Sequence, residues 1–284
     1  MALKLSEFNR TKEFLICIDS DGCVMDTMNS KHIYCFGPCL LTVWDLDSCR
    51  DQVLKRWNEI NLYTMTRGIN RFKGLAILLS EADQYGKHIP GIREFCQWTE
   101  SAKELSNDGV EAEWRRTELP IFQQALDWSK EVNRRIASLP EEKKKTFPGV
   151  SQGLEAASRL GDVAVVSSAN RPAVVAEWEK QGLLAFTSVI LAQEDGSKNT
   201  AISTLLGTGY DKEKCLMVGD SPGDCQAALD NGIFYYPILA GQESASWEQL
   251  VKEAFPRLKD GTYQGRYQEN VIDTFMKNLH APGI

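Results

Sequence analysis

The chain has 284 residues, of which 43% are hydrophobic and 25% charged. These values exclude a disordered tail, a collagen-like fibre and a coiled-coil rod, and the length suits one large domain or two around a sizeable core. Lysine and arginine number 32 against 39 aspartates and glutamates, for a net charge of −7. No basic stripe appears, which argues against a general nucleic-acid binder. An anionic substrate remains open, because a bound metal reverses the local sign. The eight cysteines form no Cys-x-x-Cys pair, and the segment Met1–Glu13 is mixed and charged with no apolar signal region. No apolar run approaches the ~20 residues of a membrane helix. These features predict a soluble, cytoplasmic protein with reduced thiols and neither a membrane nor a nucleic-acid partner. They do not set the oligomeric state.

The first element is a short, continuous apolar run, Phe14–Ile18, ending at Asp19. A run of that form, bounded by a polar turn, fits a fully buried parallel strand. From Asp26 to Pro148 no such run recurs; helical stretches are expected around 40–60, 71–85, 91–105 and 118–139. In the last of these Phe122, Leu126, Val132, Ile136 and Leu139 recur at near-helical spacing. Lys143-Lys144-Lys145, followed by Phe147-Pro148-Gly149, then reads as a linker. Beyond it, apolar runs at Val163–Val166, Thr187–Leu191, Cys215–Val218 and Ile233–Tyr236 alternate with helix-period segments at 153–160, 172–181, 200–206 and 224–230. Alternation of this kind implies an α/β fold with a parallel sheet. The expected organisation is a core of residues 1–26 and 148–284, interrupted after its first strand by an all-helical insert, 27–147. Amphipathic helices around 247–258 and 268–279 are expected to pack on the core.

Four constellations follow the predicted strands, where ligands bind in open α/β sheets. In Asp19-Ser20-Asp21-Gly22 two carboxylates two residues apart face one spot. That pair suits a nucleophile beside a proton shuttle, or two ligands for a hard cation, and also occurs as an ordinary turn. In Gly219-Asp220-Ser221-Pro222-Gly223-Asp224 two further carboxylates could complete an oxygen-ligand site with Asp19, while Asp224 could equally serve as a helix N-cap. Ser167-Ser168-Ala169-Asn170 offers hydroxyls for phosphate binding or caps for the helix near Pro172. Gly196-Ser197-Lys198-Asn199 offers one compact positive charge, or a solvated loop lysine.

The order Asp-x-Asp-Gly, helical insert, strand-Ser, loop-Lys, Gly-Asp-Ser-x-x-Asp resembles the haloacid dehalogenase-like superfamily, in its β-phosphoglucomutase and phosphoglycolate phosphatase branch. The resemblance covers roughly 14–26 and 148–240 and implies a Rossmann-like parallel sheet with a helical cap of the first (C1) type. It further implies that Asp19 is the nucleophile and Asp21 the general acid/base, and that Ser167, Ser168 and Lys198 bind the phosphoryl group. Mg2+ would be held by Asp19, Asp220, Asp224 and the Asp21 carbonyl. Members that cleave carbon–halogen or carbon–phosphorus bonds lack an aspartate at the position of Asp21, whereas a phosphate ester needs its leaving oxygen protonated. The implied activity is a magnesium-dependent phosphatase that acts on a small phosphorylated metabolite through an aspartyl-phosphate. A phosphosugar mutase of the β-phosphoglucomutase type is the alternative. A non-catalytic scaffold fits less well, since every core carboxylate, serine and lysine is intact. In the insert, Arg67-Gly68-Ile69-Asn70-Arg71-Phe72-Lys73 is similar to a cap specificity loop, which makes Arg67 and Arg71 candidate substrate contacts. The same segment also reads as a helix start capped by Asn70.

Overall fold

A computed structural model describes residues 5–280. The expectations made for residues 1–4 and 281–284 lie outside the described residues. Five strands, β1 (Phe14–Ile18), β2 (Gly161–Val166), β3 (Val189–Leu191), β4 (Cys215–Gly219) and β5 (Phe234–Pro237), form one parallel sheet in the order β3-β2-β1-β4-β5. This is the expected α/β architecture with a Rossmann-like parallel sheet. β1 is buried at every position, as a central strand covered on both faces must be, and its Phe-Leu-Ile-Cys-Ile sequence has no polar face to present. The strand order reverses between β1 and β4, which places a topological switch point at the carboxyl ends of those two strands. β3 is shorter than the expected 187–191, and Leu183–Phe186 forms a 3-10 turn ahead of it.

Among the described residues the chain divides into two compact units. One takes in the segments up to Met28 and from Lys144 onward, and the other runs from Asn29 to Lys143. The second unit contains no strand of the sheet. Its helices are α1 (Met28–Lys31), α2 (Gly37–Val43), α3 (Arg50–Asn58), α4 (Arg71–Ser80), α5 (Ile92–Ser101), α6 (Asn107–Thr117) and α7 (Pro120–Ala137). The stretch expected as one helix over 40–60 breaks at Asp45, whose φ of 50° is left-handed. α6 was not expected. Its sequence is largely charged and only Val110 is fully enclosed, so the 3.6-residue apolar pattern is absent. Ser106 supplies the start, accepting a hydrogen bond from Gly109 N at 3.1 Å, and α6 packs on α7. This unit has its own core, in which Trp57, Phe72, Phe95, Trp98, Phe122 and Trp128 meet at aromatic spacings.

The sheet unit carries α8 (Val150–Leu160), α9 (Arg171–Lys180), α10 (Lys198–Leu206), α11 (Pro222–Asn231), α12 (Glu243–Gln249), α13 (Phe255–Lys259) and α14 (Arg266–His280). The tail is part of this core: Trp247, Leu250, Phe255, Leu258 and Tyr263 join Ile16, Ile18, Val163, Val165 and Trp178 in one cluster. At the amino end of β2, the carboxylate of Asp162 is buried and accepts from Thr11 N, Thr11 Oγ1, Lys12 N and Tyr210 OH. No helix among the described residues is long and apolar enough to cross a membrane.

Candidate active site

β1 extends its pairing one residue beyond the strand, where Asp19 N donates to Val218 O at 2.9 Å. The chain then folds back: the carbonyl of Ser20 accepts from both Val24 N and Met25 N, and Gly22 adopts a φ of 84° that a side chain would strain. The hydroxyl of Thr27 donates to Asp21 Oδ1. One strand over, Asp220 follows Gly219, and a Cβ at Gly219 would lie 2.4 Å from Asp224 Cγ. Glycine there lets Asp224 come close to the strand end. Ser221 is the N-cap of α11, and Asp224 is its capping-box partner: Asp224 Oδ2 accepts from Ser221 N at 3.1 Å and from Ser221 Oγ at 2.7 Å. The cap is therefore Ser221 rather than Asp224, whose second oxygen stays available.

That second oxygen meets Lys198. The Nζ of Lys198 lies 2.7 Å from Asp19 Oδ1 and 2.5 Å from Asp224 Oδ1. Lys198 opens α10, held there by Ser197, whose Oγ accepts from Thr200 N at 3.1 Å. Asp19, Asp220 and Asp224 are all buried and place one carboxylate oxygen each within 4.8 Å of one another. Burial raises the Asp19 carboxyl above the usual range; Lys198 opposes this, and Asp224 and Asp220 add to it. Burial also disfavours the Lys198 cation, but Asp19 and Asp224 outweigh burial and raise its pKa. Lys198 thus bonds two of three buried carboxylates that crowd one desolvated place. An all-oxygen, acidic donor set of this kind fits a hard divalent cation such as Mg2+.

Ser167, at the end of β2, is buried; its Oγ accepts from Ala169 N at 3.2 Å and its own N–H donates to Leu191 O. The Ser167 hydroxyl proton remains free to meet an acceptor, since Oγ is used there as an acceptor. Ser168 is exposed beside it, and Asn170 caps α9 by accepting from Ala173 N at 3.0 Å. The phosphate and capping readings thus fall on different residues of one loop.

The two insert arginines are placed in the other unit. Arg67 is 3% exposed, and its Nη1 donates to Leu62 O at 2.6 Å, within its own loop. Asn70 caps α4, accepting from Phe72 N at 2.9 Å. Arg71 donates to Ser129 Oγ at 3.0 Å and Asn133 Oδ1 at 2.7 Å, and lies over the Phe36 ring at 5.0 Å. Burial among these neutral groups lowers its pKa to about 10.

Sequence reasoning missed Thr27 and Ser221. For Ser221 a signal existed, since Ser-x-x-Asp at a helix start is the capping-box pattern. For Thr27 there was none, because its reach to Asp21 depends on the fold-back of the loop.

A parallel sheet with clustered aspartates and a lysine at its switch point is the arrangement of a phosphoryl-transfer hydrolase. The family model of the haloacid dehalogenase-like hydrolases matches residues 98–237 of the chain. Among solved structures, it is similar to a protein from Lactobacillus delbrueckii subsp. bulgaricus assigned as a phosphoglycolate phosphatase. That match has 14% identity and a TM-score of 0.51, over 90% of this chain and 100% of that one. A haloacid dehalogenase-like family hydrolase from Xanthomonas campestris matches with 14% identity and a TM-score of 0.49, over 89% of this chain and 98% of that one. No curated protein matches the chain in sequence.

Proposed function

We propose that the protein is a magnesium-dependent phosphatase that hydrolyses a small phosphorylated metabolite in two steps. The observation that carries this reading is the buried cluster of Asp19, Asp220 and Asp224 around Lys198. Asp19 is the nucleophile: its carboxylate attacks phosphorus and forms an aspartyl-phosphate as the ester oxygen leaves. Asp21 protonates that leaving oxygen, then takes a proton from the water that cleaves the acyl phosphate. Thr27, donating to Asp21 Oδ1, orients the carboxyl for both transfers. Lys198 neutralises charge on the transferring group, and the Ser167 hydroxyl with the neighbouring Ser168 grips its oxygens. Asp19, Asp220, Asp224 and the Asp21 carbonyl would hold Mg2+, which supplies positive charge against the phosphoryl oxygens.

Arg71 is the proposed contact to the part of the substrate that does not react. It is a half-buried guanidinium whose partners in the structure are neutral, which favours an anionic or polyhydroxyl group as a further partner. Arg67, buried against its own loop backbone, holds that loop in shape. We place the reaction in the cytoplasm, a reading supported by free thiols at all eight cysteines.

The test is release of inorganic phosphate from sugar phosphates, nucleotides and phosphoglycolate, with and without Mg2+. Magnesium-dependent release without an activating bisphosphate is expected. Isomerisation of a sugar phosphate with no net release would mark a mutase instead.

A further inference from the structure

The loop that carries both reacting carboxylates is gripped from behind by two tryptophans. Ser20 lies between Asp19 and Asp21 and is almost wholly enclosed; its hydroxyl accepts the Nε1–H of Trp178 from α9 at 2.9 Å. Further along, the carbonyl of Cys23 accepts the Nε1–H of Trp247 from α12 at 3.0 Å. Both indoles are completely buried. The Trp247 ring is wedged against α8, where a Cβ on Gly153 would lie 2.2 Å from its Cε3. A fully enclosed ring with no lateral room fixes the position of its N–H, and so of the carbonyl bonded to it.

We propose that Trp178 and Trp247 are positioning residues, which set through Ser20 and Cys23 where Asp19 and Asp21 stand. The proposal rests on the phosphatase reading for its kinetic consequence. It also gives the tail a task. Trp247 lies beyond the residues matched by the family model, in a helix that closes the core and delivers one donor to the reacting loop. Attack needs Asp19 in line with phosphorus and Asp21 near the leaving oxygen, so a small displacement of the loop harms turnover more than binding.

The experiment uses Trp178→Phe and Trp247→Phe, which keep a buried ring and remove the donor, and Ser20→Ala, which removes the acceptor of the first bond. For an alkyl phosphate, kcat is expected to fall roughly ten- to a hundredfold in each variant with KM little changed. Amide exchange over residues 19–25 should quicken. Because Trp178 and Ser20 act through one bond, the double variant should lose no more than the worse single one. Unchanged kcat alongside a lowered melting temperature would reduce the indoles to packing and overturn the proposal, as would multiplying losses in the double variant. Should the wild-type protein release phosphate from no ester, the phosphatase reading fails by itself. Exchange over 19–25 then decides the positioning claim, and unchanged exchange overturns it.

Discussion

The ammonium group of Lys198 lies 2.7 Å from Asp19 Oδ1, across 179 positions of sequence. The contact joins the end of the central strand to the first turn of α10, and Asp224 closes it from the start of α11. One cation thus answers carboxylates from two different strand ends. Asp220 brings a third carboxylate into the same space.

Such crowding of buried carboxylates predicts cation linkage. Mg2+ should raise the melting temperature, by an amount equivalent to about 2.7 kcal/mol once it reaches a hundred times its dissociation constant. In Asp220→Asn the shift should shrink or vanish. A calorimetric scan with and without Mg2+ checks this, and an equal shift in the variant would place the ion elsewhere.

Asp19→Asn should abolish turnover and leave the fold intact, because the amide keeps the size of the side chain but cannot form the acyl phosphate. Asp21→Asn should cost far more on an alkyl phosphate than on p-nitrophenyl phosphate, whose leaving group needs little protonation. Steady-state rates on both esters test the assignment, and equal losses would count against Asp21 as the acid.

Arg71→Ala should weaken the reaction of the native substrate by roughly 1–3 kcal/mol, the range for a lost charged hydrogen bond. p-Nitrophenyl phosphate, which offers no second polar group, should be hydrolysed almost as before. Parallel losses on both substrates would make Arg71 a structural residue that ties α4 to α7.

Asp162 predicts a pH effect on stability. Burial alone would raise its carboxyl, but the hydroxyls of Thr11 and Tyr210 and the backbone N–H groups of Thr11 and Lys12 outweigh it and hold the pKa below the ordinary value. A lowered folded-state pKa contributes stability that is fully present above the unfolded value, near ~3.9, and is lost as pH falls through the folded one. Asp162→Ala should therefore cost roughly 1–3 kcal/mol at neutral pH, with four donors left unanswered. Urea titrations from pH 7 down to acid should show the two proteins converging below the unfolded value; a constant gap would remove the carboxylate charge from the explanation.

The sheet was legible because its strands are buried on both faces. Phe14–Ile18 and Cys215–Gly219 read as unbroken apolar runs, and each is followed by an aspartate of the buried cluster. Position at a strand end also made Ser167 and Lys198 candidates before any contact was visible. Helix α6 escaped, since its charged sequence buries so little that no period marks it. What the linear chain could not contain was the direction of each side chain. Arg67 and Arg71 look alike in one short motif, yet one hydrogen-bonds its own loop backbone and the other lies among neutral groups of a distant helix. Asp224 reads from sequence as either cap or site residue; in the structure Ser221 is the cap, and the approach permitted by Gly219 lets Asp224 send one carboxylate oxygen to Ser221 and the other to Lys198. Spacing and residue type determine which groups stand at the strand ends, whereas packing decides which way each points and what it meets there.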